Sequence, residues 1–78
     1  MVVGSVTYGS TVLPNATVSS TAGVIVNNFQ GGYDAYIFTG GNFTWTASCT
    51  GYPTKVIPLN AADFPLELNE YNIDLSTP

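Results

Sequence analysis

The sequence predicts an all-β fold: a seven-stranded antiparallel β-sandwich filling residues 1–78 as a single domain. Three observations carry this. Residues 41–49 alternate, with Phe43, Trp45, Ala47 and Cys49 on one side and Asn42, Thr44, Thr46 and Ser48 on the other. Successive side chains of a strand point to opposite faces, so this is a strand with one buried and one polar face. Gly, Pro and Asn then punctuate the chain at intervals of about 8–12 residues, the spacing of short sandwich strands. No helical period of useful length, internal repeat or linker interrupts them.

In chain order, Val2–Tyr8 is the first strand, and Gly9-Ser10-Thr11 turns. Residues 12–16 lead into Thr17–Ser20, with Pro14 confining that approach to an edge or a turn. Residues 24–26 form a short strand, and residues 27–32 a loop. Residues 31–52 are the organising stretch, two strands joined by a glycine turn. Tyr33, Ala35 and Ile37 share one phase; Asp34, Tyr36 and Phe38 share the other. Asp34 marks its phase as outward, and Thr39-Gly40-Gly41-Asn42 supplies the glycines of a short hairpin turn. A hairpin there sets Tyr36 and Phe38 beside Thr44 and Thr46 on an exposed face, a contact surface. The alternatives are a strand buried on both faces, or a bulge that changes the phase. Residues 54–59 form the next strand, which Pro58 marks as an edge or a termination. Residues 60–69 are the least strand-like part, and residues 71–75 form the last strand. The expected core is Val3, Val6, Val18, Val24, Val26, Tyr33, Ile37, Phe43, Trp45, Ile57, Leu59, Ile73 and Leu75. A chain of this length buries only about 60% of the surface it exposes unfolded, so strand pairing or partners must add to its stability.

Charge is scarce. Only 8% of residues are charged, against about 25% in an ordinary soluble domain. Lys55 is the single base, the acids are Asp34, Asp63, Glu67, Glu70 and Asp74, and the first 33 residues carry no charged side chain. Ser, Thr and Asn supply the polarity instead. One base offers no electrostatic footprint for phosphates, which argues against nucleic acid and against anionic membrane surfaces as partners. No stretch approaches the roughly 18 apolar residues of a membrane span, so no membrane insertion is expected, and residues 1–78 show no basic-plus-apolar signal pattern, as expected where such a signal has been removed. Sheet edges are ordinarily guarded by charge, especially lysine. Here glycans or partner subunits cover the surface, or the edges pair.

The ordered motifs Gly4-Ser5-Val6-Thr7, Leu13-Pro14-Asn15-Ala16-Thr17-Val18, Gly31-Gly32-Tyr33, residues 41–47, Thr50-Gly51-Tyr52 and residues 71–75 resemble those of the carboxypeptidase regulatory-like domain. That resemblance implies an immunoglobulin/transthyretin-like sandwich. It also implies a mostly non-catalytic role, as an accessory domain of secreted peptidases or a module of surface, adhesive and stalk proteins. The chain departs from the pattern in lacking charged turn residues and in its longer acidic segment before the last strand.

No histidine is present, which removes the commonest general base and metal ligand. Catalysis is therefore not expected, and no cofactor or metal. Asp63, Glu67, Glu70 and Asp74 could offer oxygen ligands to calcium, but they lack the dense alternation of a dedicated loop and are expected to supply solubilising charge. Cys49 cannot form an internal disulfide and reads as a small buried hydrophobe. Asn15-Ala16-Thr17 and Asn42-Phe43-Thr44 are glycosylation sequons, with Asn15 and Asn42 as acceptors on export. Trp45 is expected in the core; Tyr8, Tyr36 and Phe38 are the candidate exposed aromatics, with Tyr52 expected to pack at a corner.

The leading expectation is a non-enzymatic extracellular or cell-surface structural domain, the repeating subunit of a filament or polymer of copies of itself. Assembly would use strand addition or face packing, with Val2, Val3, Val6, Tyr71, Ile73 and Leu75 on the joining strands. The alternative is a carbohydrate-binding or spacer module of a larger secreted or surface enzyme, with glycans as partners.

Overall fold

The alternation of residues 41–49 folds as its phase dictates, with Phe43, Trp45 and Ala47 buried along one strand and the polar residues between them turned away. The structure, a computed structural model, describes residues 1–21 and 23–76. Among these it has nine strands: β1 (Val2–Tyr8), β2 (Thr11–Val12), β3 (Thr17–Ser20), β4 (Val24–Phe29), β5 (Gly32–Ile37), β6 (Asn42–Ser48), β7 (Lys55–Asn60), β8 (Asn69–Glu70) and β9 (Ile73–Asp74). One 3-10 turn, Ala61–Asp63, follows β7. The fold is all-β, as predicted.

Two sheets face each other. One carries β4, β5, β1 and β2, with β8 and β9 also paired to β1; the other is β3-β6-β7. Pairing is antiparallel except for residues 69–75, which run parallel to β1. Seven strands were expected; β2, in the lead-in to Thr17–Ser20, and β8, which precedes the expected last strand at residues 71–75, are the other two, and that last strand is confined to Ile73–Asp74. Val2 and Val3 pair with β5 and also with β8, so β1 has neighbours on both edges.

Residues 31–52 do not form the expected hairpin. β5 belongs to one sheet and β6 to the other, and residues 38–41 cross between them. The physical reason is the pair of large inward faces. Tyr33 and Trp45 meet edge to face across the interior, ring centroids 5.4 Å apart, and a single sheet would have set them on one surface. The tight hairpin lies one strand earlier. β4 runs on through Asn27, Asn28 and Phe29, expected as loop, and turns at Gln30 and Gly31, both at positive φ. Two residues with positive φ match the twist of the flanking strands. Asn residues disfavour strands in general, but here each has a partner. Asn27 Nδ2 donates to Asp34 Oδ1 at 3.0 Å. Asn28 reaches the opposite sheet, accepting from Val18 N–H at 2.7 Å and donating to Val18 C=O at 3.0 Å.

The core differs from expectation at β1. Val2 and Val6 are buried and Val3 is half-buried on the outer face, because the phase of the strand puts positions 2, 4 and 6 inward. Leu13, Ala16, Ala35 and Ala47 join the buried set, and Val24, Val26, Ile37 and Leu59 pack partly buried against it. At the centre Trp45 is ringed by Phe43, Phe64, Tyr33 and Tyr71, with Phe64 stacked on it at 5.8 Å and 16°. The segment that looked least like strand delivers Phe64. Asn60 Oδ1 accepts from Ala62 N–H while Asp63 Oδ2 accepts from Asn60 N–H, a reciprocal cap that turns the chain back over the core.

Candidate interaction surfaces

Strand direction sorts the molecule into two ends. β5 runs opposite to β1, so residues 38–41 lie near Met1, as do residues 61–68 before β8. Tyr8, Val12, Asn15 and Tyr52 lie at the other end, where β9 finishes beside Thr7.

Tyr36 and Phe38 face outward, as Asp34 indicated; Phe38 is 71% exposed. Their neighbours are not Thr44 and Thr46, which belong to the other sheet. Tyr36 stands opposite Ile25, and one step beyond the Val2–Ala35 pair the same register sets Met1 beside it. The Met1 α-ammonium donates to Glu67 C=O and Asn69 N–H donates to Met1 C=O, both at 2.9 Å, which sets Leu68 beside Met1. Ile25, Tyr36, Met1 and Leu68 thus form one outward row across four neighbouring strands, 41–58% exposed, with Phe38 and Leu66 (66%) beyond it. The next row inward is acidic, Asp34 and Glu70 on either side of Val3. The row after that is polar: Ser5 N–H donates to Asn72 Oδ1 at 3.1 Å. The sequence could not show this surface, because it joins residues from four separated segments.

At the Tyr8 end, Tyr8 and Tyr52 are exposed with ring centroids 5.2 Å apart. Beside them lies a groove of about 480 Å³ whose lining includes Val12, Pro14, Asn15, Cys49 and Tyr52. Cys49 is half-buried against the core with a free thiol. Asn15 is exposed in the turn that Ala16 N–H closes on Leu13 C=O. Asn42 is exposed at the start of β6, where its Oδ1 accepts from Asn60 Nδ2 at 2.7 Å.

The joining strands proposed from sequence lie against one another. Tyr71 N–H donates to Val3 C=O and Leu75 N–H to Thr7 C=O, and Val2, Val6, Ile73 and Leu75 are buried. β1 is therefore an interior strand, and of this pair only residues 69–75 keep an outer edge. Two other edges meet at the Asn28 clamp between β4 and β3. Face packing thereby gains weight over strand addition through β1.

Asp74 holds the Tyr8 end together. Its carboxylate accepts from Ser76 Oγ at 2.7 Å, Ser76 N–H at 2.9 Å and Gly9 N–H at 3.0 Å. The Ser76 hydroxyl first, then the two amides and the nearby Lys55, hold it below the usual carboxylate range. Burial, with a smaller contribution from Tyr71, pushes the Tyr33 phenol well above its ordinary value, and it donates to Tyr71 C=O. Among the described residues no three His, Cys, Asp or Glu side chains gather as a metal site. Asp63 and Asp74 lie at opposite ends. No helix among them is long and apolar enough to cross a membrane. No family model, curated protein or solved structure matches the chain.

Proposed function

We propose that this domain is a non-enzymatic structural subunit of the cell surface or extracellular space that assembles with copies of itself through face packing. The observation that carries the reading is the apolar row Ile25–Tyr36–Met1–Leu68 with Phe38 and Leu66 at its end. Single exposed apolar residues are ordinary, but a contiguous set at one end of a small domain is a contact surface. Scarce charge leaves little to oppose close approach of neighbours. Residues 69–75 taken as one strand, with the two-residue β2 set aside, leave seven strands. On that count we read the fold as the transthyretin-like sandwich of the carboxypeptidase regulatory-like domains, whose members serve in surface and stalk proteins.

A second reading is favoured by one observation. Tyr8 and Tyr52 present two rings beside a groove, which suits a carbohydrate-binding module. Sedimentation velocity of the purified chain from micromolar to millimolar concentration tests the first reading, with concentration-dependent growth expected. Titration calorimetry against soluble polysaccharides tests the second; binding by a strictly monomeric chain would replace the first reading with it.

A further inference from the structure

We propose that copies associate head to tail: the apolar Met1 end of one copy seats in the Tyr8-end groove of the next. This rests on the self-assembly reading above and names its geometry.

Charge selects the partner surface. Asp34 and Glu70 flank Val3, Asp63 follows β7 at the Met1 end, and Glu67 bonds Met1 through its carbonyl. Four of the five acids thus lie on the Met1 half, which stays net negative with the Met1 ammonium counted. The Tyr8 half holds Asp74 and Lys55, whose charges cancel, Lys55 Nζ donating to the Asp74 carbonyl at 3.2 Å. A two-fold contact through the Met1 end would bring each copy's acids against the other's. The head-to-tail contact brings the acidic half onto the neutral one, which carries the only basic side chain.

Shape agrees. The molecule measures 33 × 19 × 18 Å. A seven-residue strand spans roughly 20 Å, and the register sets the two surfaces at opposite ends of the strands. Phe38 and Leu66 project at one end; the groove beside Val12 and Tyr52 recedes at the other. Such a contact leaves an unused projection and an unused groove on every pair, so growth continues as an open filament.

Complementation between end variants tests this. Phe38→Glu/Leu68→Glu blocks the projecting end, and Val12→Glu/Tyr52→Glu blocks the groove, all at exposed positions. Each variant alone should be monomeric, and a 1:1 mixture should form a heterodimer of about twice the 8.2 kDa chain. Trp45 emission matching the unaltered chain certifies each fold; where it does not, Phe38→Ser and Val12→Ser enter the same scheme. An unaltered chain that assembles while the groove variant assembles equally well overturns the head-to-tail geometry and leaves self-assembly standing. An unaltered chain that stays monomeric at millimolar concentration overturns both.

Discussion

A methyl group at position 4 would overlap the Tyr71 carbonyl and approach Cε1 of Tyr33 to 3.0 Å. Gly4 faces inward where the Tyr33 hydroxyl meets that carbonyl, so the absence of a side chain is what lets residues 69–75 lie against β1. Gly4→Ala should cost about 3 kcal/mol, the upper range for overpacking, measured by denaturant unfolding. Tyr33 adds a pH dependence. Its folded pKa lies above the unfolded value of about 10, so the folded chain holds a proton that the unfolded chain releases. That stability is complete below pH about 10 and is lost as pH rises toward the folded value. Tyr33→Phe should flatten the alkaline limb of the stability curve while losing about 1 kcal/mol of hydrogen bonding at neutral pH. Trp45 is fully buried with its Nε1–H unpartnered among the described residues, and its fluorescence should lie at short wavelength.

Elements are where sequence reasoning succeeded and failed for identifiable reasons. Period-two alternation gave β6 its faces, and Pro58 marked β7 as an edge; both are local properties. The partner of a strand is not local. The alternation of residues 31–52 does not distinguish a hairpin from a crossing between sheets, because either satisfies it; the spatial contact between Tyr33 and Trp45 decides it. Asn27 and Asn28 read as loop because their partners, Asp34 and Val18, lie elsewhere in the chain. The apolar row was legible only in Tyr36 and Phe38; register supplied Ile25, Met1 and Leu68. Asn28→Ala should cost about 1–3 kcal/mol, since it strips both Val18 backbone groups of a partner. Phe64→Ala should cost about 2 kcal/mol, a half-buried aromatic lost from the Trp45 stack. Asp74 links the β1–β2 turn to the C-terminal segment. Its folded pKa is depressed, so its contribution is present above the unfolded value of about 3.9 and fades as pH falls through the folded one. Acid titration of Asp74→Asn should show a flatter acid limb than the unaltered chain.

The whole molecule combines a hydroxyl-rich, charge-poor exterior with an apolar end and a grooved end. Its edges are handled piecemeal: β1 is flanked on both sides, Asn28 ties β4 to β3, and the edge strand β7 carries Pro58 and the one lysine, Lys55. The contiguous apolar row lies at one pole and the groove beside Tyr8 and Tyr52 at the other, so association is assigned to the poles. Phe38→Glu/Leu68→Glu should leave the unfolding midpoint nearly unchanged, because both side chains are exposed, while abolishing association. Sedimentation velocity of the unaltered chain beside this variant, over the same concentrations, is the most direct measurement. Self-assembly predicts growth with concentration for the first and a single 8.2 kDa species for the second. A single 8.2 kDa species for both at millimolar concentration would contradict it.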